Sequence, residues 1–77
     1  MNKQHIDFYK QLGLNIAYYR KIKGFSQNQL AEHVNISRTH MSRIETADCA
    51  VSLDIVFEIS KVLKISPRQL FDFRDLN

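Results

Sequence analysis

The stretch Ser37 to Thr46, SRTHMSRIET, gathers side chains suited to reading the edges of other molecules. At about 100° per residue, Met41, Ile44 and Glu45 share one side of a helix, and Thr39, Arg43 and Thr46 point the other way. Ser42 falls on one flank and His40 on the other. Arg38 sits at the boundary in the first turn, from which a long side chain can swing outward. Arginine can donate two parallel hydrogen bonds to guanine in a DNA major groove, and threonine can bond a base edge or pack on a thymine methyl. No acid interrupts the face between Ser37 and Ile44. Arg38, Thr39, Ser42 and Arg43 are therefore the candidates for base readout, with His40 and Thr46 beside them as phosphate contacts. A solvated polar helix face has a similar composition, and every small domain carries one, so composition alone leaves both readings open.

The elements that must hold this face in place are legible around it. Ser26-Gln27-Asn28-Gln29 is a capping-box pattern, a hydroxyl that caps a helix with a glutamine three positions on that reaches back. Leu30, Ala31 and Val34 follow at helical spacing. Asn35 stands where the chain must turn, and asparagine tolerates the left-handed conformation better than most residues. Ile36 plugs the turn, and Ser37 caps the next helix. Two short helices joined this way, over residues 26–46, form a helix-turn-helix pattern. Gln27, the first residue of the leading helix, offers an exposed amide near a helix N-terminus, a natural phosphate anchor. Glu45 lies on the inner stripe, where an acid is costly unless paired. Arg20, beside Ile16 and Tyr19 on the preceding helix, is the expected partner. An Arg20–Glu45 ion pair would orient the reading helix.

With 77 residues the chain is expected to form one domain, whose burial is modest and which dimerisation would help. Residues 1–44 hold seven bases against two acids, and residues 45–77 hold four bases against six acids. The basic half contains the two-helix unit, which suits a polyanion on one side and a protein neighbour on the other. No apolar run approaches the roughly 18–20 residues that span a membrane, and the first residues lack an apolar signal core. A single cysteine, Cys49, excludes an intrachain disulfide and fits a reducing cytoplasm.

Read in order, residues 1–5 form a polar arm. Tyr9, Leu12, Ile16 and Tyr19 mark a helix from about Ile6 to Lys23, closed by Gly24. Gly13 inside it implies close packing against another helix. After the small-residue connection Thr46 to Val51, Ser52 caps a helix to about Leu63, with Leu53, Val56, Ser60 and Leu63 as its core stripe. Ile55, Phe57, Ile59 and Val62 make it apolar around most of its circumference. Ser66-Pro67-Arg68-Gln69 opens a last helix to about Phe71 or Phe73. Residues 52–77 are the expected dimerisation region, with Ile55, Val62, Phe71, Phe73 and Leu76 at the interface. Phe71 suits the core equally well.

Residues 12–71 resemble the Xre/Cro-type helix-turn-helix family, which includes phage repressors, restriction–modification controller proteins and sporulation-type repressors. The resemblance is carried by Leu12-Gly13, Ile16, Tyr19-Arg20, Gly24, Ser26-Gln27, Leu30-Ala31, Val34, Ile36-Ser37, Ile44-Glu45, Ser52-Leu53, Ile59, Leu63, Ile65-Ser66 and Leu70-Phe71. It implies an all-α fold, a compact five-helix lambda-repressor-like domain, and transcriptional control by a homodimer on a two-fold site in double-stranded DNA. It also implies a phosphate-anchoring role for Gln27, base contacts from Arg38, Thr39, Ser42 and Arg43, and a counterpart of the Arg20–Glu45 pair. Asn35, Ala47 and Val51 depart from the family pattern, which often has Gly, Gly and Pro at these places. The last two leave the path out of the reading helix open.

Other chemistries fit less well. His5, His33, His40 and Cys49 match no compact zinc spacing, so no metal or cofactor is expected. Neither a strained nucleophile turn nor a Gly-rich phosphate loop is present, which argues against an enzyme. The rival reading is a protein-interaction adaptor, antirepressor- or antitoxin-like, that keeps the fold and binds another protein. The apolar fourth helix and the acidic second half support it.

Overall fold

The computed structural model describes residues 1–73. The Asn2 side chain accepts from the Gln4 N–H at 2.9 Å and starts a 3-10 turn over Lys3–His5. The arm expected at residues 1–5 is thus a capped turn leading into the first helix. Five α-helices follow: α1 (Ile6–Ile22), α2 (Gln27–His33), α3 (Arg38–Glu45), α4 (Leu53–Leu63) and α5 (Pro67–Leu70), with no strand among the described residues. Ser26, Ser37, Ser52 and Ser66 cap α2 to α5, and Ser26–Gln29 and Ser66–Gln69 close complete capping boxes. The last helix stops at Leu70, short of Phe71 or Phe73. The Asn15 amide takes the carbonyls of Leu70 (2.9 Å) and Asp72 (3.2 Å), turning the chain end back onto α1.

The first four helices end in the same way. After α1, Gly24 is left-handed (φ +82°), its N–H reaches Lys21 O at 3.1 Å, and Phe25 N–H reaches Arg20 O at 3.0 Å. This double closure satisfies carbonyls that the helix end would otherwise orphan. It recurs at Asn35 (φ 64°), Ala47 (φ 61°) and Lys64 (φ 57°). At Ala47 the chain therefore leaves α3 by the turn a glycine would make, and Ala47 is buried in doing so.

One core joins all five helices. Ile16 of α1, Leu30 of α2, Met41 of α3, Val56, Ile59 and Leu63 of α4, and Leu70 of α5 are fully buried. The α4 stripe differs from expectation: Ile59 is at its centre, and Leu53 is 59% exposed. Leu53 is the first residue of α4, and side chains tilt toward a helix N-terminus, so it projects past the end of the core. Ser60 is buried because its hydroxyl donates to the Phe57 carbonyl at 2.7 Å. Phe71 is 39% exposed and belongs to the surface, not the core.

Gly13 sets how closely α1 approaches α3. A Cβ there would stand 2.7 Å from the Ile44 carbonyl oxygen, and closer still to that of Glu45. Alanine is the better helix former by about 1 kcal/mol, yet Gly13→Ala is expected to lower stability by about 1–3 kcal/mol, since backbone must move to admit it. Lys64→Gly should do the reverse. Its side chain is exposed, and a left-handed non-glycine residue costs about 1–2 kcal/mol. Part of that gain is lost to glycine's freedom in the unfolded chain, leaving about 0.5–1 kcal/mol. Urea unfolding of both variants measures the two effects.

Candidate nucleic-acid interface

One carboxylate holds α3 in place. Glu45, in the last turn of α3, accepts from Arg20 Nε at 2.7 Å on Oε2 and from Arg20 Nη2 at 3.1 Å on Oε1. Both residues are 8% exposed. Two parallel bonds of this kind fix orientation as well as distance. Oε1 also accepts from the Gln27 Nε2 amide at 2.9 Å. Arg20 Nη1 donates to the Phe25 carbonyl at 2.9 Å, which the left-handed turn at Gly24 aims toward it. The cluster leaves no buried side-chain nitrogen or oxygen without a partner among the described residues. It ties the C-terminal half of α1, the first residue of α2 and the end of α3 to one point.

Gln27 is consequently half-buried rather than an exposed amide. One of its two amide hydrogens goes to Glu45, and the other is available to an acceptor outside. No local pattern announces this bond, because the two residues are 18 positions apart. The role of the Phe25 carbonyl was likewise invisible in the sequence. The bond from Asn15 to Leu70 has no local signal either, since it spans 55 positions.

Along α3, Met41, Ile44 and Glu45 are buried, whereas Arg38, Thr39, Arg43 and, just beyond the helix, Thr46 are exposed. Ser42 and His40 are half-buried on the flanks. The structure thus brings Arg38, Thr39 and Arg43 onto the outer side of one helix, with Ser42 on its flank. The Thr46 hydroxyl is engaged with the Ser42 carbonyl at 3.0 Å, so its oxygen retains acceptor capacity while its proton is committed. Ser37 Oγ accepts from the His40 N–H at 3.0 Å and fixes the start of the helix. Of the residues assigned to a dimer surface, Ile55, Val62 and Phe73 are half-buried against their own core, Phe71 is exposed, and Leu76 lies outside the described residues. Leu53, expected in the core, and Phe57, counted in the apolar circumference of α4, are both exposed.

No helix among the described residues is long and apolar enough to cross a membrane. No group of three or more His, Cys, Asp or Glu among them could hold a metal ion.

The pattern that defines the helix-turn-helix family matches residues 16–70. The control protein C.BamHI of Bacillus amyloliquefaciens is 44% identical over 48 residues, which are 62% of this chain and 59% of that protein. The transcriptional regulator SinR of Bacillus subtilis is 34% identical over 62 residues, 79% of this chain and 56% of SinR. The chain thus spans little more than half the length of these relatives. Among solved structures, the restriction–modification controller protein C.AhdI of Aeromonas hydrophila superposes with a TM-score of 0.83 at 30% identity, covering 87% of this chain and 97% of that one. The N-terminal DNA-binding domain of SinR superposes at 0.77 with 31% identity, covering 87% of this chain and 99% of that domain. The chain belongs to the helix-turn-helix family, in its Xre/Cro-type branch of DNA-binding regulators, and this is not a family of enzymes.

Because Glu45 serves three donors, its loss strands a buried guanidinium. Glu45→Ala is expected to destabilise the fold by about 3–5 kcal/mol, and Arg20→Met with Glu45→Leu by clearly less than the sum of its single changes. A double-mutant cycle in urea reads this coupling, and additive changes would remove the ion pair from the account.

Proposed function

We propose that this protein is a sequence-specific transcriptional regulator of the cytoplasm that binds a two-fold operator as a homodimer. The observation that carries the reading is the division of α3. Its inner side is buried and fastened at Glu45, and its outer side offers Arg38, Thr39 and Arg43 without an acid among them. A helix seated this way can place its first two turns in a major groove. Arg38, Thr39, Ser42 and Arg43 then address the bases. Gln27, through its second amide hydrogen, together with His40, addresses phosphate, and Thr46 joins them by turning its hydroxyl from the Ser42 carbonyl to the phosphate.

The region 52–77 is proposed for pairing, with Phe71, 39% exposed, as an apolar contact and the half-buried Ile55, Val62 and Phe73 beside it. A two-fold pair would set its half-sites about one helical turn, or 34 Å, apart.

A second reading, that a protein partner also acts on this fold, is favoured by the apolar exposure of Leu53, Phe57 and Phe71. Similarity to SinR, whose structure in complex with SinI covers 86% of this chain at 32% identity, points the same way.

Gel-shift titration on promoter DNA at two salt concentrations separates the readings. Binding that releases counterions from phosphate weakens steeply as salt rises. Arg43→Ala should cost about 1–3 kcal/mol and relax preference at one base step. Gln27→Ala should weaken all sequences alike. A protein that shows no preference for any DNA would favour the partner reading instead.

A further inference from the structure

Three exposed apolar side chains form a line on α1 that neither the core nor the reading face uses. Leu14, Tyr18 and Ile22 are 61, 59 and 58% exposed. Spaced four residues apart, they form a ridge about 12 Å long on the solvent side, where a surface helix ordinarily carries polar residues. Gly13, which seats α1 on α3, lies roughly 140° around the helix from Tyr18. The ridge therefore points away from α3 and remains open when α3 lies in a groove. Ala17 and Lys21 border a shallow depression along it. The Tyr18 ring stands edge-on to Tyr19, with centroids 5.0 Å apart, which restrains it before any partner arrives. A restrained tyrosine amid apolar neighbours is a common anchor of protein contacts.

Charge selects the partner. Between Asp7 and Glu32 the sequence contains no acid, and it holds Lys10, Arg20, Lys21 and Lys23. Glu45 neutralises Arg20, which leaves three lysines. Lys10 and Lys21 fall along one edge of the ridge, within about 60–80° of Tyr18. On the other side Gln11 lies close to the ridge line and Asn15 at its edge, about 20° and 60° from Tyr18, bonded to each other at 3.1 Å. An apolar ridge with a cationic border complements a helix that has an apolar stripe and a carboxylate border.

We propose that the outer face of α1 docks an acidic amphipathic helix of a second protein. The partner's apolar stripe lies on Leu14, Tyr18 and Ile22, and its carboxylates run along Lys10 and Lys21. The inference goes beyond DNA reading and uses none of the residues assigned to it.

The test titrates isotope-labelled full-length chain with a synthetic amphipathic peptide of leucine and glutamate, about five helical turns long, followed by NMR. A twin peptide has lysine at every glutamate. The expected result is shifts confined to the outer side of α1 with the glutamate peptide. Affinity should fall roughly tenfold or more for the lysine twin and for Tyr18→Ala. Tyr18→Ala should keep the folded spectrum and the DNA affinity of the parent, which separates this surface from α3. Absence of binding, equal binding of both peptides, or shifts centred on Leu53 and Phe57 would overturn the proposal. Loss of self-association in Tyr18→Ala, measured by sedimentation, would assign the ridge to a second copy of this chain and overturn it too.

Discussion

The carboxylate of Glu45 holds three helices of this protein in register. Two nitrogens of one guanidinium and one amide converge on its two oxygens, from α1 and from the start of α2. A buried ion pair adds little net stability over an apolar contact of the same shape, but a half-broken one is expensive. Here it fastens α3 through three bonds that a displaced helix would have to break. Gly13 acts at the same junction from the other direction, since α1 can come close enough for Arg20 to reach Glu45 only where no Cβ intervenes. The turn at Gly24 completes the junction by presenting the Phe25 carbonyl to the remaining guanidinium nitrogen.

This junction explains how so small a domain can present a defined surface. The outer residues of α3 are long and exposed, and nothing on their own side of the helix fixes them. Their positions follow from the placement of the helix, which follows from Met41 and Ile44 in the core and Glu45 at the pair. Gln27 links the two functions: its amide reaches inward to the carboxylate and has one hydrogen left for the outside. A phosphate bound at that hydrogen would communicate directly with the group that orients α3.

Much of this was legible in the sequence because the signals are local. The serine caps at Ser26, Ser37, Ser52 and Ser66 mark helix starts through bonds that span two or three residues, and they lie where the pattern put them. An acid on an otherwise apolar stripe pointed to a partner, and the arginine one face away on α1 was the obvious candidate. What could not be read depends on distant partners or lacks contrast. The Gln27 bond to Glu45 and the Asn15 bonds to the chain end have no local signature. On α4 the expected Val56, Ser60 and Leu63 are buried, but Leu53 lies at the helix start beyond the core and Ile59 is buried beside them, because a helix apolar on most sides offers little contrast to tell its core residues apart. The left-handed turns at Ala47 and Lys64 were hidden as well, because tertiary closure imposes there a conformation that glycine would have announced.

The central claim is that the outer side of α3 reads DNA in two-fold register. Selection of binding sites from random double-stranded DNA by the full chain tests it most directly. The expected result is enrichment of a symmetric sequence whose half-sites are centred about one helical turn apart. Recovery of no enriched sequence, or of a single unsymmetric half-site, would contradict it.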